Sequence, residues 1–549
     1  MRIKYILITI FLTSCGQGNQ TDSLVSSGNS LSKIFQQVLP TNDLPEFLAP
    51  IRESIVVSAN SSPSYYAASR FLEQAAWGPT PQEVANVQAL GFSGWIDQQI
   101  NLPPTLSNAP DYVINYTPND GVTDQRAYDW WPSRFQAISL SGPDQLRQRV
   151  TYAIYNFIPE SNGSAYATPS YFDVIQNNSL STYPQLMSAI TLNAAMADFL
   201  NLNQNMAGSP NENYAREVMQ VFSVGLVLIN PDGSIKTDSK GNPIQTYTQN
   251  DVINATKTLS GWQNQWIDSR SNGSNYAMPM IPRPGQNHDT SAKTVLGQSI
   301  PANQTIQKDL TSFINIITNH PNTAPFVSRR LIQNMVTSTP SPAYIGRVSS
   351  VFASTSGDLK AVVKAILLDP EARAGDDPSN KSNIGGKIKE PTLVYHEMLR
   401  ALGCVTTVYD RNNPTRALWT GQNAFSAPNV FGYFSPDHKA PVTLYNTPEE
   451  TLFTINTVNN YNGLSYQLKG QNFSNGGCQV SSFTTAVQQS NDALIEMFNL
   501  RFFRGNIPPS IRAGISTLLT NNINNLSPTD QFGYLLGLVL SSSAYGVMK

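Results

Sequence analysis

Asn211-Glu212-Asn213-Tyr214-Ala215-Arg216-Glu217 is the densest polar cluster of the chain. On a helix, at about 100° per residue, Glu212, Asn213, Arg216, Glu217 and Gln220 share one arc of roughly 140°. Tyr214, Val218, Val221, Phe222 and Leu226 lie opposite. The i,i+4 spacing lets Glu212 pair with Arg216 and Asn213 with Glu217. Such an arc is either a solvated helix face or one wall of a polar site. Further on stand His288-Asp289 and Lys293. A His beside an Asp in a loop serves as general base, metal ligand or plain hydrogen-bonding pair.

Other signatures fail on inspection. No Gly-x-Ser-x-Gly elbow, phosphate-binding P-loop, Cys-x-x-Cys or haem attachment motif occurs. His396-Glu397 opens like a zinc-protease helix, but Arg400 stands where the second His belongs. The stretch from Asp268 imitates a calcium loop, but Arg270 and Pro279 occupy ligand positions. The four histidines, His288, His320, His396 and His438, could form a three-His zinc site only by long-range assembly. Three cysteines are present. With Cys15 assigned to lipidation (below), Cys404 and Cys478 are either a disulfide or two separate buried thiols; a disulfide is the expectation in an oxidising compartment.

The elements that must position these groups are mostly helices. Thr80-Pro81-Gln82-Glu83 is a capping box with Pro at the first helical position, and Gly91 suits the helix end. Apolar residues at steps of three and four predict helices over 144–158, 184–200 and 310–317, and around Val327, Tyr344, Leu359 and Leu393. Thr248 and Asp251 predict another helix start. Leu226–Thr246, with turn signals at Asp232-Gly233 and Gly241-Asn242-Pro243, predicts a small β-hairpin. Residues 263–285 and 408–480 read as long irregular loops. The fold class is therefore mainly α: a large multi-helical body with a small hairpin insertion.

The N-terminus reads as an export signal. Arg2 and Lys4 precede the apolar run Tyr5–Leu12, far short of the roughly 20 residues that span a bilayer. Leu12-Thr13-Ser14-Cys15 resembles the bacterial lipobox, which implies cleavage before Cys15 and acylation there. Several acyl chains, at about 0.8 kcal/mol per buried CH₂, anchor firmly. Gly16 is not the Asp of an inner-membrane retention signal, which points to the outer membrane. The expected organisation is a signal peptide at 1–14, a flexible tether at 15–59, a helical main domain at 60–483 and a C-terminal helical segment at 484–549. Charged residues are 13%, about half the usual ~25%, and Asn, Gln, Ser and Thr take their place. A net charge of −2 supplies no basic field for nucleic acid.

Taken together, the motifs resemble the bacterial family called domain of unknown function 1800, over roughly 65–549. The resemblance rests on Arg70-Phe71-Leu72 through Gly78-Pro79-Thr80, Leu90-Gly91-Phe92 with Trp95, and Leu146-Arg147-x-Arg149-Val150. It continues with Asn211–Glu217, with Tyr247, Asp251, Val252 and Gly261-Trp262, and with His288-Asp289-x-x-x-Lys293-x-x-Leu296-Gly297. His320-Pro321, Lys389-Glu390-Pro391 and Pro428-Asn429-Val430-Phe431-Gly432-Tyr433 complete it. In the last, Ala427 and Tyr433 replace the family's first Pro and its Trp. The resemblance implies export, and an exported sulfatase-like partner encoded nearby. It brings no agreed activity. It also implies that Asn211–Glu217 and His288-Asp289 are halves of one polar site. Two classes of function then stand open. In an enzyme, Glu212, Glu217, Asp251, His288 and Asp289 would line a cleft for acid–base chemistry or a divalent cation, with Asn211, Asn213, Arg216 and Lys293 binding substrate. In a binding or assembly factor, the same groups would be a buried network orienting two helices. Under either, Glu212, Arg216 and Glu217 are expected to be largely buried and near His288 or Asp289.

Overall fold

The computed structural model describes residues 62–109, 122–161, 166–266, 274–380, 386–405, 422, 424–435, 437–439, 446–454, 457, 478 and 481–548. The expected signal peptide, Cys15 and the 15–59 tether lie outside them. Of the described residues 57% are helical, and three two-stranded antiparallel sheets occur among them.

Side chains that cap the backbone set most helix starts. Ser64 opens α1 (Tyr65–Ala75), and Thr80 opens α2 (Pro81–Ile100) by accepting from the Glu83 N–H. The helix expected to end at Gly91 runs on past a kink at that glycine, and Leu90 is exposed. After α3 (Val122–Ser141) comes α4 (Gln145–Phe157), whose side chains are all buried. Next is α5 (Ala167–Asn178). The single helix expected over 184–200 is two, α6 (Tyr183–Thr191) and α7 (Ala194–Phe199). Asn193 breaks them: its side chain accepts from the N–H groups of Ala195 and Met196 and so starts a new helix.

The polar motif forms α8 (Asn213–Glu217), which runs into a π-helical stretch, Val218–Ser223. The wider turn departs from 3.6-residue periodicity, and Leu226, expected on the apolar side, is exposed. Residues 226–246 then fold as short extended segments joined by isolated bridges, Val227 to Gln245, Ile229 to Ile235 and Thr237 to Pro243. Thr248 and Asp251 form a reciprocal capping box at the start of α9 (Gln249–Thr258). Strands β1 (Trp262–Gln263) and β2 (Ile281–Pro282) pair, as do β3 (Lys293–Val295) and β4 (Gln298–Ile300). Leu296 and Gly297 link the latter pair, both with positive φ, the geometry of a two-residue hairpin turn.

The helices α10 (Ile306–Thr318), α11 (Thr323–Met335), α12 (Pro342–Ser354), α13 (Leu359–Leu368) and α14 (Pro370–Arg373) follow. Strand β5 (Lys387–Ile388) leads to α15 (Pro391–Ala401). The chain closes with α16 (Ser481–Gln489), α17 (Asn491–Phe502), α18 (Pro509–Asn521), α19 (Pro528–Leu540), α20 (Ser543–Gly546) and β6 (Val547–Met548), which pairs with β5. One large apolar core joins α1 through α14. A second unites α15 with α16–α20, including Met398, Phe498, Leu535 and Tyr545. Cys404 and Cys478 form a disulfide at the edge of this second core.

Candidate functional site

The polar motif is held from below and from both ends. Tyr214 is fully buried, with its hydroxyl 2.7 Å from that of Thr191. Asn205 ties the approach: its amide donates to the Thr256 carbonyl and accepts from the Asn211 N–H, while its carbonyl accepts from the Gly261 N–H. Asn211 in turn accepts from the Asn213 N–H, a local turn that starts the helix. Beyond the π-helical stretch, Asn322 gathers the far end. Its amide donates to the carbonyls of Val224 and Val227 and accepts from the Ile229 N–H.

On the outward arc, Arg216 donates to Glu212 at 2.5 Å and to Gln249 at 3.1 Å, and Gln249 donates back to Glu212 at 2.9 Å. The three close a ring between α8 and the first turn of α9. The expectation of burial is corrected here, since the Arg216 and Glu212 side chains keep 36% and 45% of their exposure. The Arg216 hydrogen bond, with that of Gln249, holds the Glu212 carboxyl below the usual range. Glu217 is half-buried; burial pushes its carboxyl up against the opposing pull of Arg216. No hydrogen bond joins Asn213 to Glu217 among the described residues.

His288-Asp289 belongs to a different cluster. His288 places Nδ1 2.9 Å from the Ser260 carbonyl oxygen and Nε2 3.1 Å from Asp309 Oδ2. Lys293 donates to the same oxygen at 2.6 Å and to the Asp289 carbonyl at 2.5 Å, and Gln304 donates to Asp309 Oδ1. Asp309 is fully buried, and Lys293 is nearly so. Asp289 faces away: its carboxylate accepts from the N–H and hydroxyl of Ser291, which lower its pKa against the effect of burial. Asp251 caps α9 and accepts from the Leu296 N–H, so it serves the β3–β4 hairpin.

Thus α9 carries both motifs, one at its first turn and the other beyond its end. Among the described residues no hydrogen bond or ion pair joins Glu212, Arg216 or Glu217 to His288 or Asp289. Gly261 explains why the Gly-Trp turn accompanies the His-Asp loop. Its φ is +91°, and a Cβ there would lie 3.0 Å from the backbone of Asn287 and His288.

Sequence reasoning missed Asp309, which pairs with Lys293 and faces His288 Nε2. The signal was available: Asp309 falls at i+3 from Ile306 and i+4 before Phe313, inside the apolar stripe of α10. It also missed a buried ionic cluster around α15. There Glu390 receives Tyr152 at 2.7 Å, Gln422 at 2.9 Å, Asn156 and Lys387, and Lys387 also reaches Glu449 at 3.2 Å. Three motifs of the resemblance lie at this cluster or beside it: the Arg149 helix, the Lys389-Glu390-Pro391 start and the turn ending at Tyr433. Among the described residues no group of three His, Cys, Asp or Glu side chains is placed to hold a metal ion.

No curated protein and no solved structure matches the chain. A family match covers residues 70–547, nearly all of the described body, and the chain belongs to that family, protein of unknown function DUF1800.

Proposed function

We propose that the protein is a lipid-anchored binding or assembly factor of the bacterial cell envelope, held at the outer membrane through Cys15 and acting with a partner. The supporting observation is the closure of the His288–Asp309–Lys293 cluster. Both ring nitrogens of His288 are engaged within the fold: Nδ1 lies 2.9 Å from the Ser260 carbonyl oxygen and 3.5 Å from its hydroxyl, and Nε2 lies 3.1 Å from Asp309 Oδ2. A ring engaged at both nitrogens has neither turned toward a substrate proton, which a general base needs. Glu212 and Arg216 are likewise occupied with Gln249. These groups hold segments of chain together. Among the described residues no helix is long and apolar enough to cross a membrane; anchoring rests on the Cys15 lipid.

The experiment pairs stability with activity. His288→Ala should lower the melting temperature and partner binding together. The exported sulfatase-like protein implied by the family is the first partner to test, by co-purification from detergent-solubilised membranes. A broad hydrolase screen runs beside it. Turnover that His288→Ala or Glu217→Gln abolishes at unchanged melting temperature would overturn the reading in favour of an enzyme. Mass spectrometry of the mature N-terminus decides the anchor: an acylated Cys15 is expected, and is expected to be lost in Cys15→Ser.

A further inference from the structure

Beside the closed ring of Glu212, Arg216 and Gln249 lie polar groups that are not used. Among the described residues, the Asn213 amide, the Glu217 carboxylate and the Tyr247 hydroxyl make no hydrogen bond, and Arg216 engages only Nη2. Glu217 Oε2 is buried. Tyr247 is half-buried and sits within electrostatic reach of both Arg216 and Glu217. These groups are held in place. Gln249 and Glu212 fix Arg216, Tyr247 directly precedes the capping box of α9, and Glu217 borders the π-helical stretch. Helix interruptions of that kind are frequent at functional sites.

We propose that Asn213, Arg216, Glu217 and Tyr247 form a recognition site for a neutral saccharide. The proposal deepens the binding-factor reading and rests on it for the assumption that ligand is held rather than converted. A buried carboxylate oxygen without a partner, as at Glu217 Oε2, costs free energy that a donating ligand recovers. Guanidinium only donates, carboxylate only accepts, and amide and phenol do both, so the ligand must donate and accept over a small area. Sugar hydroxyls do both. Pairs of neighbouring hydroxyls also match the two-pronged edges of a carboxylate, amide or guanidinium. Charge selects against anions: Arg216 is balanced by its ion pair with Glu212, and Glu217 adds a negative charge beside them. The Tyr247 ring packs in part against the apolar core, which holds its hydroxyl in place.

The test applies the full mature chain to an array of neutral and N-acetylated oligosaccharides, followed by titration with the best-retained sugar. Glu217→Gln and Tyr247→Phe should each weaken binding about tenfold or more, the effect of about one hydrogen bond to a ligand. Neither should lower the melting temperature, because neither side chain has a partner to lose. Three results overturn the proposal: no sugar retained above background, retention unchanged in both variants, or a peptide library bound at this patch in place of sugars. Mass spectrometry of the retained sugar separates the two readings. A cleaved sugar whose binding still depends on Glu217 and Tyr247 upholds the saccharide site and removes the non-catalytic reading.

Discussion

Asp309 shows how much one buried carboxylate decides. It receives His288, Lys293 and Gln304, and through them joins α10, the His-Asp loop and β3. A buried ion pair that loses one partner leaves the other charge uncompensated, at about 3–5 kcal/mol. Asp309→Asn keeps the shape and removes the charge, so it should destabilise by about that amount, as measured by chemical denaturation. Asp289→Asn, one residue from His288, should cost far less, since Asp289 makes only a local turn with Ser291 at a partly exposed position. Equal losses from the two would refute the assignment of roles. The contrast also marks what the sequence makes legible. Local patterns such as the Thr248–Asp251 capping box can be read because both partners lie within one turn. The partner of His288 lies 21 residues away, across a hairpin. No periodicity encodes that distance, and the adjacent Asp289 draws the eye instead.

At the scale of elements, apolar spacing locates most helices, since burying a face leaves a 3.6-residue rhythm. It fails where the backbone changes geometry: the break at Asn193, the π-helical stretch after Glu217, and the β3–β4 turn at Leu296-Gly297. Helix α15 was legible from Pro391 to its stop before Gly403, but its buried charges were not. Two neighbours on it shift in opposite directions. Burial among Trp77, Phe135 and Tyr395 lowers His396 to about 4. Burial raises Glu397 to about 7, against the pull of Lys389. The unfolded chain therefore binds the His396 proton more tightly between about pH 4 and 6.5, and stability from this group falls as pH drops through that window. The folded chain binds the Glu397 proton more tightly between about 4.5 and 7, so stability from that group falls as pH rises. In the wild type the slopes oppose each other over most of this range. The stability of wild type minus Glu397→Gln should thus decline by about 2–3 kcal/mol from pH 4.5 to 7. A difference curve that is flat or rises over that range would refute it.

For the whole molecule the question is what fastens the C-terminal core to the rest. Glu73 on α1 takes two hydrogen bonds from Arg504, at 2.7 and 2.6 Å, although 431 residues separate them. Lys389 lies 3.2 Å from Glu73 and 2.7 Å from Glu397. Arg504 also donates to the Val547 carbonyl, and β6 pairs with β5. One buried ionic cluster therefore binds the first described helix, the start of α15 and the last strand. Arg504 and Lys389 draw the Glu73 carboxyl down despite its burial. Arg504→Met removes one cation and keeps an apolar stem of similar length. Glu73 then retains only Lys389, which it shares with Glu397, at a cost of about 3–5 kcal/mol. The loss should be uneven, because the apolar residues flanking Arg504, Phe502, Phe503 and Ile507, belong to the second core. Hydrogen exchange should accelerate mainly in residues 481–548 and at β5, and change little in α10 through α13, whose contacts lie within the first core. Acceleration spread evenly over both cores would show that they unfold as one unit and that the cluster is no separate fastening.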